Sequence, residues 1–365
     1  NCALNPEPMS DFIDLFVVGE GEEVILELVE AFRCWNKGGS GGKRELLREL
    51  CKIRGIYVPG LYRTQYLADG SSASIVPEVP EAKATIERRI VSELPPPVTR
   101  PVVPFVEIIH DRGAVEIQRG CTQGCRFCQA GIIYRPVRER PVAEVIEAVD
   151  QLVANCGYDE ISLLSLSTSD YSGISELVGA LSNRYRGMHL ALSLPSLRPD
   201  TFSIKLADSI QGQRKSSLTF APEAGTDRLR RAVNKDILGD DLLQTIQVAL
   251  DRGRSSFKLY FMIGLPTETA EDILGIVDLV RRVRQIKGAA GNRPNIRVSV
   301  ATFVPKPHTP FQWVAQNPEE ELVSKHQVLR RGLQKAGASL SWHDPRVSLL
   351  EGVMSRGDRR LGKVI

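Results

Sequence analysis

Three cysteines sit close together in RGCTQGCRFCQAG, residues 119–131, at spacings of four and then three. Thiolates so arranged are ligands for one inorganic centre, and three centres compete for them. Zinc takes four ligands, commonly as two separated pairs. Here there is no second CxxC or HxxxH pair, and the five histidines are scattered. A redox CxxC at Cys125 and Cys128 leaves Cys121 without a role. Iron–sulfur clusters are held by thiolates at short spacings. Three protein ligands on a four-iron cluster leave one iron open to a substrate or cofactor. The iron–sulfur reading accounts for all three thiols and makes Cys121, Cys125 and Cys128 the metal ligands. Gly120, Gly124 and Gly131 let the loop bend around a bulky group.

The remaining cysteines, Cys2, Cys34, Cys51 and Cys156, are scattered, and seven is an odd number. A disulfide framework is not indicated, and a reducing cytoplasm that keeps thiols free fits better. The chain has 365 residues, 42% hydrophobic and 25% charged, with 47 basic against 44 acidic side chains. A net charge of +3 neither demands nor excludes nucleic acid; dedicated duplex binders are usually more basic. No apolar run reaches the roughly 18–20 residues of a membrane span. The chain opens on Asn1 rather than Met and stops after SRGDRRLGKVI, as expected of a fragment.

The elements that must position the cysteines follow from periodicity. From residue 114 strands and helices alternate: AVEIQRG, EISLLSLS, HLALSLPSL, SSLTFAPEA, SSFKLYFMIGL and NIRVSVATFVP read as strands. Helices are predicted at PVAEVIEAVDQLVANC, ISELVGALSNRY, PDTFSIKLADSI, GTDRLRRAV, DDLLQTIQVALDRG and AEDILGIVDLVRRVRQIKG. Gly157 is placed to end the first of these. Six successive βα steps imply a parallel sheet with helices outside, because each crossover is right-handed. Either an open doubly wound sheet or a partial barrel satisfies this. Residues 318–337 add a helix and ASLSWHD a last strand. Upstream, FIDLFVVGEG and GEEVILELVEAF read as a strand and an amphipathic helix, with Val24, Ile25, Leu28, Val29 and Phe32 at helical spacing. KGGSGGKRE is linker-like and ELLRELCKI a short helix. Residues 55–113, rich in Pro, Gly and Ser, read as an extended connector with a hairpin around Leu67–Ser74. The cysteines follow directly on the first strand of the alternation, at its carboxyl end, where parallel α/β folds bind ligands.

CTQGCRFC matches the CxxxCxφC signature of radical S-adenosylmethionine (SAM) enzymes, and six βα units match their partial (β/α)6 TIM-like barrel. The resemblance covers about residues 114–315. It implies a 4Fe–4S cluster on Cys121, Cys125 and Cys128, whose open iron takes the amino and carboxylate groups of SAM. Reductive cleavage of the sulfonium then gives a 5′-deoxyadenosyl radical that abstracts hydrogen from a substrate. An electron donor such as flavodoxin or ferredoxin is implied as partner.

By the same resemblance Phe127 packs near the adenine, although a loop-anchoring aromatic explains it equally. Family members carry a GGE-like segment after the second strand; this chain has SLSTSDYSG, making Ser165, Ser167 and Thr168 candidates for the methionyl group. Asp170 reads more simply as a turn residue. Ser193 ends the third strand, where ribose contacts fall, and Arg198 could instead be surface. Glu223 ends the fourth strand, as a ribose or substrate ligand or as a helix N-terminal acid. In FMIGLPTET, Gly264 and Leu265 are candidates for the adenine, Pro266 shapes the turn, and Thr267, Thr269 and Glu271 start a helix. His308 reads as structural ahead of substrate-facing.

NPEPMSDFIDLFVVGEGEEVI resembles the end of the cobalamin-binding-type domain that precedes many radical barrels. With APEAGTDRLR, GLPTET and SRGDRR, it is similar to an uncharacterised family of such proteins. The implied organisation is a truncated Rossmann-like remnant at 1–36, a connector at 37–113, the core barrel at 114–315 and a C-terminal extension at 316–365. Cobalamin, which would bring methyl transfer, is a further candidate cofactor, although no DxHxxG motif occurs. A second reading is methylthiolation of tRNA or a ribosomal protein, which VPKPHTPFQW resembles. Cys2, Cys34 and Cys51 match the count of a second cluster but read better as scattered buried thiols. A third is a non-catalytic RNA-binding or assembly module, with Arg119, Arg126, Arg135, Arg138 and Arg140 around a structural cluster.

Overall fold

The computed structural model describes residues 4–38, 41–106, 108, 111–188, 190–195, 197–198 and 217–365. The segment read as helix PDTFSIKLADSI and Cys2 lie outside the described residues. The chain divides into two units, one of residues 1–95, 306–308 and 350–365, the other of 96–305 and 309–349.

In the first unit β1 (Phe16–Val17) pairs antiparallel with β2 (Ile56–Tyr57), with α1 (Val24–Gly38) and α2 (Lys43–Leu50) between them. The expected hairpin forms from β3 (Tyr62–Tyr66) and β4 (Ser72–Pro77). Helix α1 is amphipathic as its spacing predicts, yet only Val24 is buried; Ile25 is 53% and Phe32 49% exposed. The small core gathers Phe16, Val24, Ile56, Tyr57, Val58 and Leu61. Beside it NPEP and SRGDRR meet. The buried Glu7 carboxylate accepts from Arg359 Nε at 2.8 Å and Tyr57 Oη at 2.5 Å. Asn5 Nδ2 donates to the Gly357 carbonyl at 2.8 Å.

The second unit is the partial (β/α) barrel. β5 (Gly113–Glu116) is followed by a two-residue strand β6 (Gln118–Arg119), a short α3 (Ala130–Ile133), β7 (Arg138–Glu139) and α4 (Val142–Cys156). Gly157 ends α4 in the left-handed conformation, as read from sequence. Then come β8 (Glu160–Leu164), α5 (Ile174–Arg184), β9 (Ala191–Ser193), β10 (Leu218–Glu223), α6 (Asp227–Ala232) and α7 (Gly239–Asp251). The unit closes with β11 (Ser256–Ile263), α8 (Ala270–Gln285), β12 (Asn295–Thr302), α9 (Glu319–Lys335) and β13 (Ser339–Trp342), and α10 (Pro345–Arg356) follows. Strands pair in parallel in the orders β5-β8-β9 and β10-β11-β12-β13, and a parallel bridge from Leu197 to Phe220 joins the two rows. One face of the sheet is sealed: Phe257, Leu259, Phe261 and Ile263 of β11 share a core with Ile246 of α7, Ile276 of α8 and Leu329 of α9. Alternation then sends Lys258, Tyr260 and Met262 to the opposite, inner face.

Candidate functional site

The cysteine loop hangs from the carboxyl end of β5 and is closed at its base by the antiparallel β6–β7 pair. At Gly120, φ is +95°, and a Cβ would lie 2.6 Å from the Tyr134 carbonyl oxygen, so only glycine lets the chain turn there. Within the loop the Cys128 N–H donates to the Cys125 carbonyl at 3.0 Å, and the Gly131 N–H donates to Cys128 Sγ at 3.3 Å. Such a donor stabilises negative charge on sulfur.

Burial pushes the Cys125 thiol up to about 11, opposed by the cations of Lys235 and Arg198. Burial raises Cys121 too, and Cys128 adds to the rise at both. The thiols therefore feel one another's charge. Among the described residues no group of three His, Cys, Asp or Glu side chains is placed to hold a single metal ion. A cubane takes one thiolate per iron at separate corners, and three thiols on one short loop are a donor set of that kind. The donor set thus fits an iron–sulfur cluster.

Three contacts, each spanning a large sequence gap, hold the loop. Arg126 donates its backbone N–H to the Val233 carbonyl at 2.9 Å and its Nη1 to the Ala232 carbonyl at 2.6 Å. Asn234, itself left-handed at φ 56°, donates Nδ2 to the carbonyls of Gln123 and Gly124 at 3.1 and 2.9 Å. Gln123 Nε2 reaches Asp170 at 2.8 Å, which also accepts from Ser167 Oγ at 2.6 Å. Beneath the loop Phe127 packs against an apolar cluster of Ala224, Leu229, Val233, Leu265 and Phe303, with Met262 also against it.

The candidates from sequence surround this loop with unequal freedom. Glu223 ends β10 at φ 67°, partly buried and paired with Lys235 Nζ at 2.9 Å. Ser193 is half-buried at the end of β9, paired in register with Ser162. Ser167 is spent on Asp170, and Thr168 is fully buried, its hydroxyl shared between Ser165 Oγ and the Pro195 carbonyl. The Gly264 N–H donates to the Glu268 carboxylate at 3.0 Å, and Leu265 is buried in the small cluster. Arg198, read as surface, is 8% exposed and accepts the role of a buried cation; Ser169 Oγ holds its backbone N–H at 3.0 Å. His308 is structural: its Nε2 lies 3.0 Å from the Leu4 carbonyl oxygen. Thr269 starts α8 as expected, with Asp272 rather than Glu271 completing the cap.

Sequence reasoning missed Asn234 and Lys235, which follow APEAGTDRLRRAV. That stretch is built to hold them. Gly225 packs so closely on α8 that a Cβ would meet the Asp272 carbonyl oxygen at 2.2 Å. Thr226 caps α6, and its hydroxyl bonds the Asp272 carboxylate. Arg230, 2% exposed, donates to the carbonyls of Ile237 and Ala224 at 2.6 Å each and to Asp227. The arginines near the cysteines are likewise engaged: Arg119 forks onto Glu116 at 2.9 and 2.8 Å, and the buried Arg140 holds Glu144 and the Glu116 carbonyl.

A three-thiol loop at the carboxyl edge of a partial parallel barrel defines a class, and comparison with known proteins bears it out. Residues 115–280 match the radical SAM superfamily, and residues 1–59 match the N-terminal region of radical SAM proteins. The chain belongs to the radical SAM superfamily, whose members use a 4Fe–4S cluster and SAM. It is 30% identical to the uncharacterized protein MJ0966 of Methanocaldococcus jannaschii, over 98% of this chain and 70% of that protein. It is 26% identical over 179 residues to a tRNA-2-methylthio-N(6)-dimethylallyladenosine synthase of a Wolbachia species from Brugia malayi, covering 47% of this chain and 40% of that protein. Among solved structures, the methyltransferase TsrM from Kitasatospora setae, with cobalamin and a [4Fe–4S] cluster bound, superposes with a TM-score of 0.58 at 17% identity. That match covers 87% of this chain and 60% of TsrM, and it shows the fold. No helix among the described residues is long and apolar enough to cross a membrane.

Proposed function

We propose that this chain binds a 4Fe–4S cluster through Cys121, Cys125 and Cys128 and cleaves SAM reductively to act on a substrate by radical chemistry. The observation that carries the reading is the thiol loop itself, three sulfur donors on one excursion at the carboxyl end of the first barrel strand. The cluster, when bound, would supply the electron that breaks the sulfonium C–S bond. The chain's own residues do the rest. Asn234 and Arg126 tie the loop to the end of α6, and Phe127 packs on the apolar cluster that includes Ala224 and Leu265. Lys235 and Arg198 place positive charge near Cys125, which favours the thiolate a metal needs. Glu223, held by Lys235, and Ser193 offer polar groups to the cofactor's ribose, and Phe127 and Leu265 supply apolar surface near its adenine. Thr168, Ser167 and Gly264 position their neighbours through the bonds already described.

Cobalamin and methyl transfer belong to TsrM; for this chain only the likeness of fold supports them. The tRNA-modifying relatives support a second reading, over about half the chain. Against it, Cys34 is exposed on α1 beside Glu30, whereas Cys51 is buried after α2 and donates to the Arg48 carbonyl.

Anaerobic reconstitution with iron and sulfide, then SAM and a strong reductant, tests the proposal. The wild-type chain should develop visible absorbance and release 5′-deoxyadenosine, and Cys125→Ala should lose both. A chain that takes up iron and sulfide yet makes no 5′-deoxyadenosine would be the non-catalytic module instead.

A further inference from the structure

The inner face of the four-stranded row carries a second constellation, distant from the cysteines. Register places Thr219 of β10 beside Lys258 of β11, Lys258 beside Arg297 of β12, and Arg297 beside Ser339 of β13. One step up lie Tyr260, Ser299 and Ser341. Their alternate neighbours, Leu259, Val298 and Leu340, pack on the helix side, so these residues share the other face. The Lys258 ammonium lies 4.6 Å from the centroid of the Tyr260 ring.

Barrel interiors are ordinarily filled by branched apolar side chains. These two rows hold two cations and five hydroxyl groups and no carboxylate, and solvent reaches them. Like charges directly opposite on neighbouring strands cost stability. Among the described residues no carboxylate pairs with Lys258 or Arg297 to offset that cost. An anion rich in oxygens would, by accepting from both cations and from the hydroxyls together.

We propose that this face binds a phosphate group, and, resting on the radical SAM reading above, that the phosphate is carried by the substrate. Lys258 and Arg297 neutralise it, Thr219, Ser299 and Ser339 donate to its oxygens, and the Tyr260 ring packs against the organic part it is attached to. Met262, which packs on the cluster under Phe127, stands four residues further along β11. At about 3.3 Å per residue that is roughly 13 Å. The substrate is therefore elongated, with its phosphate roughly that far from its reacting end.

Titration of the full chain, without cluster or SAM, tests the site independently of the radical chemistry. The probes are phenyl phosphate, inorganic phosphate and phenol, followed by Tyr fluorescence and ³¹P line width. Phenyl phosphate should bind more tightly than inorganic phosphate, with phenol not binding. Lys258→Met and Arg297→Gln should each weaken phenyl phosphate at least about tenfold, the loss of one charged hydrogen bond, with melting temperature retained. Arg293→Gln, an exposed cation just before β12, should leave it unchanged. Equal binding of the two phosphates would assign the face to free phosphate and overturn the substrate claim. Failure of the wild type to bind either, or an Arg293→Gln loss as large as that of Arg297→Gln, would overturn the site. Loss of 5′-deoxyadenosine formation bears only on the proposal for the cysteines.

Discussion

Asn234 gives the sharpest handle on the cysteine loop. Its side chain spans more than a hundred residues of sequence to hold two carbonyls of the loop, at 3.1 and 2.9 Å, and its backbone is left-handed at φ 56°. Asn234→Gly removes both bonds while keeping a backbone that glycine adopts freely. Each such bond contributes about 0.5–1.5 kcal/mol, and the exposed setting puts these at the lower end. Together about 1–2 kcal/mol is lost, a factor of roughly 5–30 in the population of the held loop. The two bonds of Arg126 to Ala232 and Val233 persist, so the fold should stay intact. The assay is an anaerobic iron and sulfide titration of the full chain, read by visible absorbance, with 5′-deoxyadenosine formation alongside. The apparent affinity for cluster assembly should fall by that factor, with the melting temperature within a few degrees of wild type. Asn234→Ala, which adds the strain of a left-handed Cβ, should fall further. Cluster loading within twofold of wild type in Asn234→Gly would refute the idea that this side chain holds the loop.

Gly225→Ala should cost about 3 kcal/mol, the upper end for overpacking, because the new Cβ meets helix backbone on α8; a melting temperature lowered by about 6–12 °C is expected, and an unchanged one would contradict the packing. Arg230→Met should destabilise by about 3–5 kcal/mol, since it strips a buried cation from two carbonyls and Asp227, and a urea midpoint within error of wild type would deny that role. Burial alone would raise the Asp272 carboxyl, but the Thr226 hydroxyl, the Thr269 N–H and hydroxyl, and Arg228 together hold it below the usual carboxylate range. Its contribution is therefore present above about pH 4 and lost as pH falls through the lower folded value. The acid limb of stability, followed by urea unfolding from pH 6 to 2, should be shallower in Asp272→Asn than in wild type, and equal limbs would count against it.

The barrel was legible because its strands carry apolar residues at alternate positions and its helices keep the 3.6-residue period. Phe257, Leu259, Phe261 and Ile263 announce a strand sealed on one face, and Gly157 marks a helix end by its chemistry alone. The thiol loop was legible because its ligands are neighbours in sequence. Its supports were not: Gln123 to Asp170, and Asn234 back to Gly124, are contacts fixed only by how distant strands are ordered. Lys235 carries no signal of its own, since a lone lysine after a helix is common, and its importance comes from Glu223 and Cys125 lying near it. Arg198 looked like a surface residue because arginine usually is one; after β9 it is 8% exposed. Helix α1 shows the reverse, an apolar stripe that the period predicts and that the described residues leave largely open.

The grip of Arg359 on Glu7 bears on how the protein is made. Residues 1–95 and 350–365 belong to one unit, and Glu7 waits for a partner more than three hundred and fifty positions away. On a ribosome the barrel strands are all synthesised before that partner emerges. Until Arg359 emerges, Glu7 and Tyr57 lack their cation. A chaperone or protease surveying the nascent chain meets Glu7 without its cation until Arg359 has emerged, ten residues after the second unit ends at residue 349.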